Sequence, residues 1–136
     1  MEAIAQEKTS IFAEPVAAGF PSPASGYMEG RLDLNEHLIR HPAATFFVRA
    51  SGDSMTGAGI FDGDILIVDR SLKAADSDIV VALLDGGFTV KRLRISSGRI
   101  SLVPENPRHS PIEVHDESDL RIWGVVTYVV HKAGKG

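Results

Sequence analysis

From residue 45 to the end the chain is a succession of short apolar, β-prone runs: TFFVRA, ILIVD, IVVALLD, FTVKRLRI, RISLVPE, IEVH and LRIWGVVTYVVH. Runs of this length closed by turn-forming residues read as strands, so this part of the chain is expected to be mostly β. The separators are FDGD at 61–64, DGG at 85–87, SSG at 96–98 and ENPRHSP at 105–111, built from the residues that turns select. DGG between IVVALL and FTVKRL predicts a tight hairpin, since glycine reaches the positive φ values that such turns need. No repeat or low-complexity tract interrupts the pattern, and the tail HKAGKG is expected to fray.

Residues 1–42 read differently. AEPVAAGFPSPASG carries Pro15, Pro21, Pro23, Gly19 and Gly26, which exclude a continuous helix or a central strand and predict an extended, flexible arm. A domain over 43–136 follows it. Leu34, Leu38 and Ile39 fall at i, i+4 and i+5, which predicts a short helix near the end of the arm with Asn35 as its cap. At 136 residues, 43% of them hydrophobic, one domain with one core is expected. The net charge of −4 argues against this chain gripping duplex DNA by itself, because phosphate binding needs clustered Lys and Arg. Nucleic acid would be reached through a partner. With no cysteine, disulfides and thiolate zinc sites are excluded. No apolar run approaches the roughly 20 residues that span a bilayer, and MEAIAQEKTS lacks the features of a signal peptide. The expected location is the cytoplasm.

One short stretch, SGDSM at 51–55, places Ser54 at a corner between a strand-like run and a glycine-rich loop. Serine is a poor nucleophile until a base takes its proton. His37, His41, His109, His115 and His131 lie in or beside the arm, in turns, at an edge or near the end, and read as surface residues. No HExxH or other metal-ligand spacing occurs, so no metal is expected.

A deprotonated lysine is the other base available to serine. Lys91 is the candidate: a strand of period 2 puts Thr89, Lys91 and Leu93 on one face of FTVKRL and Val90 and Arg92 on the other. A lysine with pKa near 10.4 is neutral only about four times in ten thousand at pH 7. Bringing it to about 7 or 8 costs the ammonium roughly 3–5 kcal/mol, which desolvation can supply. Met55, Ile60, Phe61 and Leu93 are the apolar residues expected to exclude water there. Locally, each residue also has a plain reading: a serine before glycines caps a turn, and a strand lysine is solvated.

In order and spacing, SGDSM, GIFDGDILIVD, DGGFTVKRL and LVPENP resemble the self-cleaving peptidase domain of the LexA/UmuD family of Ser/Lys peptidases (S24 type), the UmuD side most closely. The likeness runs from AAGFPSPASG to WGVVTYVV and leaves out the first dozen or so residues. It implies a LexA/UmuD C-terminal-domain-like β fold of short twisted sheets with a flexible N-terminal arm. It also implies Ser54 as nucleophile and Lys91 as the acceptor of its proton. The main-chain amides of Asp53 and Ser54 would form the oxyanion hole, and Thr89 would orient the lysine. The bond between Ala18 and Gly19, ahead of FPSPA, would be the self-cleavage site. No cofactor is implied.

The implied setting is the SOS response to DNA damage. A RecA-type recombinase filament on single-stranded DNA would stimulate cleavage, and the product would serve, as a homodimer, a UmuC-type Y-family polymerase in translesion synthesis. IWGVVTYVV or the arm would supply the dimer interface. A rival reading of another class is a non-catalytic regulatory binding module for the polymerase or the recombinase. Fewer than 20 residues precede the Ala18–Gly19 bond, too few for the winged helix-turn-helix of the family's repressors, so repressor function is not expected.

Overall fold

The computed structural model describes residues 9–12, 18–21, 28–116 and 118–134, and the chain divides into two compact units, Met1–Arg40 and His41–Gly136. In the first unit β1 (Thr9–Phe12) pairs antiparallel with β2 (Met28–Leu32), with Thr9 opposite Leu32 and an irregularity between Ile11 and Phe12. This two-stranded ribbon was not expected within an extended arm. Its pairing joins segments far apart in the chain, and proline-rich neighbouring sequence does not forbid short strands beyond it. Helix α1 (Leu34–Leu38) follows. Its N-cap is Asp33 rather than Asn35: the Asp33 carboxylate accepts the Asn35 N–H at 3.0 Å. An aspartate at this position satisfies an amide that the first turn leaves without a partner, and its charge suits the positive end of the helix.

The second unit is built on a seven-stranded antiparallel sheet in the order β3-β4-β9-β5-β6-β7-β8. The strands are β3 (Thr45–Arg49), β4 (Ile65–Asp69), β5 (Ile79–Leu84), β6 (Gly87–Ser96), β7 (Arg99–Val103), β8 (Ile112–Val114) and β9 (Leu120–Val130). Every strand-like run in this part of the sequence is thus a strand, and the expected mostly β fold is the one observed. The hairpin between β5 and β6 closes with Asp85 at φ 48° and Gly86 at φ 87°, the positive pair of a type I′ turn. Its strained position falls on Asp85 and not on the second glycine. Ser97 and Gly98 repeat the arrangement between β6 and β7.

Side chains pack on both faces of the central strand. Val81 joins Ala50, Met55, Ile60, Leu66 and Val68 in one buried cluster. Its neighbours Val80 and Ala82 join Leu93, Leu102 and Val125 in another. The single core expected from chain length is therefore two clusters divided by the sheet, because alternation sends successive side chains of β5 to opposite faces. Each fully buried aliphatic side chain contributes about 1.5–3 kcal/mol. β9 lies between β4 and β5, so its backbone is paired on both edges. An interface through IWGVVTYVV would use side chains such as Tyr128 and Val130, which are exposed. Among the described residues, no helix is long and apolar enough to cross a membrane.

Candidate active site

Residues 50–64 form a loop closed at its neck by two backbone bonds, Ala50 N–H to Asp64 O at 2.8 Å and Gly63 N–H to Ala50 O at 2.9 Å. Gly52, at φ 85°, turns the chain and donates its N–H to Asp62 Oδ1 at 2.8 Å. Met55 then buries its side chain in the first cluster, which leaves Ser54 at the rim. A 3-10 turn at Thr56–Ala58 ends on Gly59, at φ 80°.

A second segment closes over this loop. Glu105 donates its N–H to Ser54 O at 2.8 Å, and Gly57 donates its N–H to Glu105 O at 2.7 Å. Asn106 donates from Nδ2 to Asp53 O at 2.8 Å. The Glu105 carboxylate in turn accepts from the Arg92 guanidinium, which ties the segment to β6.

β6 brings Lys91. The lysine side chain turns inward, leaving 9% of the residue exposed, and its Nζ lies 2.8 Å from Thr89 Oγ1, 3.0 Å from Ser54 Oγ and 3.1 Å from Val90 O. Among the described residues it forms no ion pair. Burial pushes its pKa below the ordinary lysine value, because desolvation disfavours the ammonium. The pair opens on a cavity of about 390 Å³ whose apolar wall includes Val48, Met55, Ile60, Val81 and Trp123. This arrangement has the parts of a serine and its base: a hydroxyl within reach of an amine, a second hydroxyl holding that amine, and an apolar wall beside them.

The model of the family described as Peptidase S24-like matches residues 10–127. The chain belongs to that family, as a UmuD-like member. It is 50% identical over 127 residues to Protein SamA of Salmonella typhimurium, covering 93% of this chain and 88% of that one. It is 49% identical over 122 residues to Protein ImpA of Escherichia coli, covering 90% and 83%. A LexA repressor of Oleidesulfovibrio alaskensis is 50% identical over 111 residues, which are 82% of this chain but 53% of that protein.

Within this S24 domain Ser54, Lys91 and Thr89 come together as a cluster. The N–H groups of Asp53 and Ser54 donate to no other described residue. Ala18 and Gly19 are exposed residues of the first unit. Two of the four apolar residues expected around the lysine, Met55 and Ile60, line the cavity. Phe61 does not: its ring lies 5.1 Å from that of His131. Nor does Leu93, which belongs to the second cluster. Val81 and Trp123, from β5 and β9, fill the wall instead.

The sequence missed the roles of three histidines. His109 Nε2 lies 2.7 Å from Asp53 Oδ1, beside the serine. That bond, together with the charge of His109, holds the Asp53 carboxyl below its usual range. His41 Nδ1 and His131 Nδ1 lie 2.6 Å from the buried carboxylates of Asp69 and Asp64, one at each end of β4. Burial alone would raise both aspartates. Hydrogen bonds from Phe61 N–H and His131 outweigh it at Asp64, and those from Ser71 and His41 at Asp69, so both end below the usual range. Among the described residues no group of three His, Cys, Asp or Glu is placed to hold a metal ion.

Proposed function

We propose that this chain is a UmuD-like SOS mutagenesis protein, a latent serine endopeptidase that cuts its own bond between Ala18 and Gly19. The observation that carries the reading is the 3.0 Å approach of the buried Lys91 Nζ to Ser54 Oγ. Neutral Lys91 takes the proton of Ser54 Oγ, which attacks the Ala18 carbonyl carbon. The main-chain amides of Asp53 and Ser54 receive the oxyanion, a type of contact worth about 2.7–4 kcal/mol per donor. The C–N bond breaks, and the Gly19 amine leaves with the proton returned from Lys91. A water molecule, losing its proton to Lys91, then hydrolyses the ester to release the Ala18 carboxylate and restore Ser54. Thr89 Oγ1, 2.8 Å from Nζ, orients the amine throughout. Because the substrate is part of the same protein, proximity takes the place of affinity.

In this reading a RecA-type recombinase filament on single-stranded DNA stimulates cleavage. Residues 19–136 then act in the cytoplasm as a homodimeric accessory subunit of a UmuC-type Y-family polymerase in error-prone translesion synthesis. Residues 1–42 are the substrate arm and 43–136 the peptidase domain. The net charge of −4 supports leaving DNA binding to the partners. The test is incubation at about pH 10, where lysine loses its proton without an activator, and at neutral pH with a recombinase filament. Mass spectrometry should find a fragment beginning at Gly19 from wild type and none from Ser54→Ala or Lys91→Ala. Cleavage that persists in both variants refutes the mechanism. A wild-type chain that stays intact under both conditions leaves the regulatory binding module.

A further inference from the structure

Both carbonyls that flank Ser54 are held by consecutive residues of another segment. Glu105 N–H takes Ser54 O at 2.8 Å, and Asn106 Nδ2–H takes Asp53 O at 2.8 Å. Asp53 O accepts from Thr56 as well, from Oγ1 at 3.2 Å and from N–H at 3.4 Å. Asn106 is itself locked, since its Oδ1 accepts the Arg108 N–H at 3.0 Å. Both ends of its side-chain amide are therefore committed, and its orientation follows from the two partners.

The carbonyl of Asp53 and the N–H of Ser54 belong to one planar peptide unit and point in opposite directions. A donor fixed on the carbonyl fixes the direction of the N–H. It also polarises the unit, since hydrogen bonds in a chain strengthen one another by roughly 10–30% each. The Ser54 N–H donates to no described residue, so what Asn106 strengthens is an unspent donor beside the Ser54 hydroxyl.

We propose that Asn106 is a positioning residue of the oxyanion hole, aiming and strengthening the Ser54 N–H through the carbonyl of Asp53. This rests on the self-cleaving reading above. Asn106 forms no hydrogen bond with Lys91 or the Ser54 hydroxyl, so it acts on the height of the rate–pH profile and not on its inflection. Removing an oxyanion donor outright costs about 10²–10³-fold; misaiming one costs less, about 10-fold.

The experiment follows self-cleavage of the full chain from pH 7 to 11 in wild type, Asn106→Ala, Asn106→Asp and Ser54→Ala, with thermal unfolding of each. Asn106→Asp keeps an oxygen for the Arg108 N–H but turns a carboxylate oxygen toward Asp53 O, whereas Asn106→Ala loses both bonds. Asn106→Ala should cleave about 10-fold more slowly with its inflection unmoved. Asn106→Asp should cleave at least as slowly as Asn106→Ala while unfolding at a higher temperature. Rates within twofold of wild type in both variants, or rates that follow the order of thermal stability, overturn the inference and leave the Ser54–Lys91 reading standing. A wild type that never cleaves, or a Ser54→Ala chain that does, overturns both.

Discussion

Gly57→Ala puts the closure over Ser54 under a measurable load. A Cβ on Gly57 would stand 2.5 Å from the Glu105 carbonyl oxygen and 3.3 Å from its carbon, both backbone atoms. Carbon and oxygen tolerate about 3.3 Å, so the two segments must separate by about 0.8 Å. That carries the bond from Gly57 N–H to Glu105 O, now 2.7 Å, to about 3.5 Å, beyond useful range. It also strains the neighbouring bond from Glu105 N–H to Ser54 O. Two backbone bonds at about 1 kcal/mol each, with some desolvation left unrepaid, give roughly 2–3 kcal/mol. The alanine recovers about 0.4–1 kcal/mol by narrowing the unfolded ensemble. The net loss of about 2 kcal/mol should lower Tm by roughly 6–10 °C in a chain of this size. Scanning calorimetry reads the shift, with Gly134→Ala as control because nothing lies within 4 Å of that position. Self-cleavage at pH 10 should fall with it. A Tm within about 2 °C of wild type would show that the segments part without cost, and the reasoning about this closure would fail.

Lys91→Met should cut self-cleavage by about 10²–10⁴-fold, the range for a lost general base, and yet raise Tm at pH 7. The folded state lowers the Lys91 pKa, so between that value and the ordinary one the unfolded chain binds more protons and wild-type stability climbs with pH; calorimetry from pH 7 to 10.5 should show the variant's advantage shrinking. At the acid end Asp64 and Asp69, both lowered on folding, contribute stability above the ordinary carboxylate pKa of about 3.9 that is lost as pH falls through and below it. Asp64→Asn and Asp69→Asn should therefore be less stable at pH 7 and show a flatter decline below about pH 4. Gly124→Ala would set a Cβ 2.5 Å from Val68 Cγ1 in the core, costing about 1–3 kcal/mol by urea denaturation. Adding Val68→Ala should recover part of that loss, and simple additivity of the two changes would contradict the clash.

Much of the fold is written in short runs of sequence. The seven strands of the second unit follow from apolar, β-branched segments bounded by turn formers, and Asp85–Gly86 and Ser97–Gly98 supply the positive φ that their hairpins need. Ser54 and Lys91 were also marked as candidates by the resemblance of four motifs, with strand alternation putting Thr89 beside Lys91, and the folded chain brings the three side chains together. What surrounds them was not. Phe61 and Leu93 are as apolar as Ile60, yet in the folded chain Phe61 lies against His131 and Leu93 packs in the second cluster. His109 carries no local mark that separates it from His115, and only the folded chain sets it against Asp53. Asn106 stood inside ENPRHSP as a turn former. LVPENP carries part of the resemblance, and only the folded chain reveals that Glu105 and Asn106 within it bond the carbonyls of Ser54 and Asp53.

Residue order alone determined where the strands of the second unit run, where they turn, and which serine and lysine are the candidates for its chemistry, because strand propensity, turn conformation and side-chain type belong to neighbouring residues. Tertiary structure decided how β9 comes to lie between β4 and β5, why the core splits about β5, and which segment closes over Ser54. It also decided that Lys91 loses its water. Burial and hydrogen-bond partnership are set by atoms tens of residues away along the chain, and they exist only once the sheet has brought those atoms together.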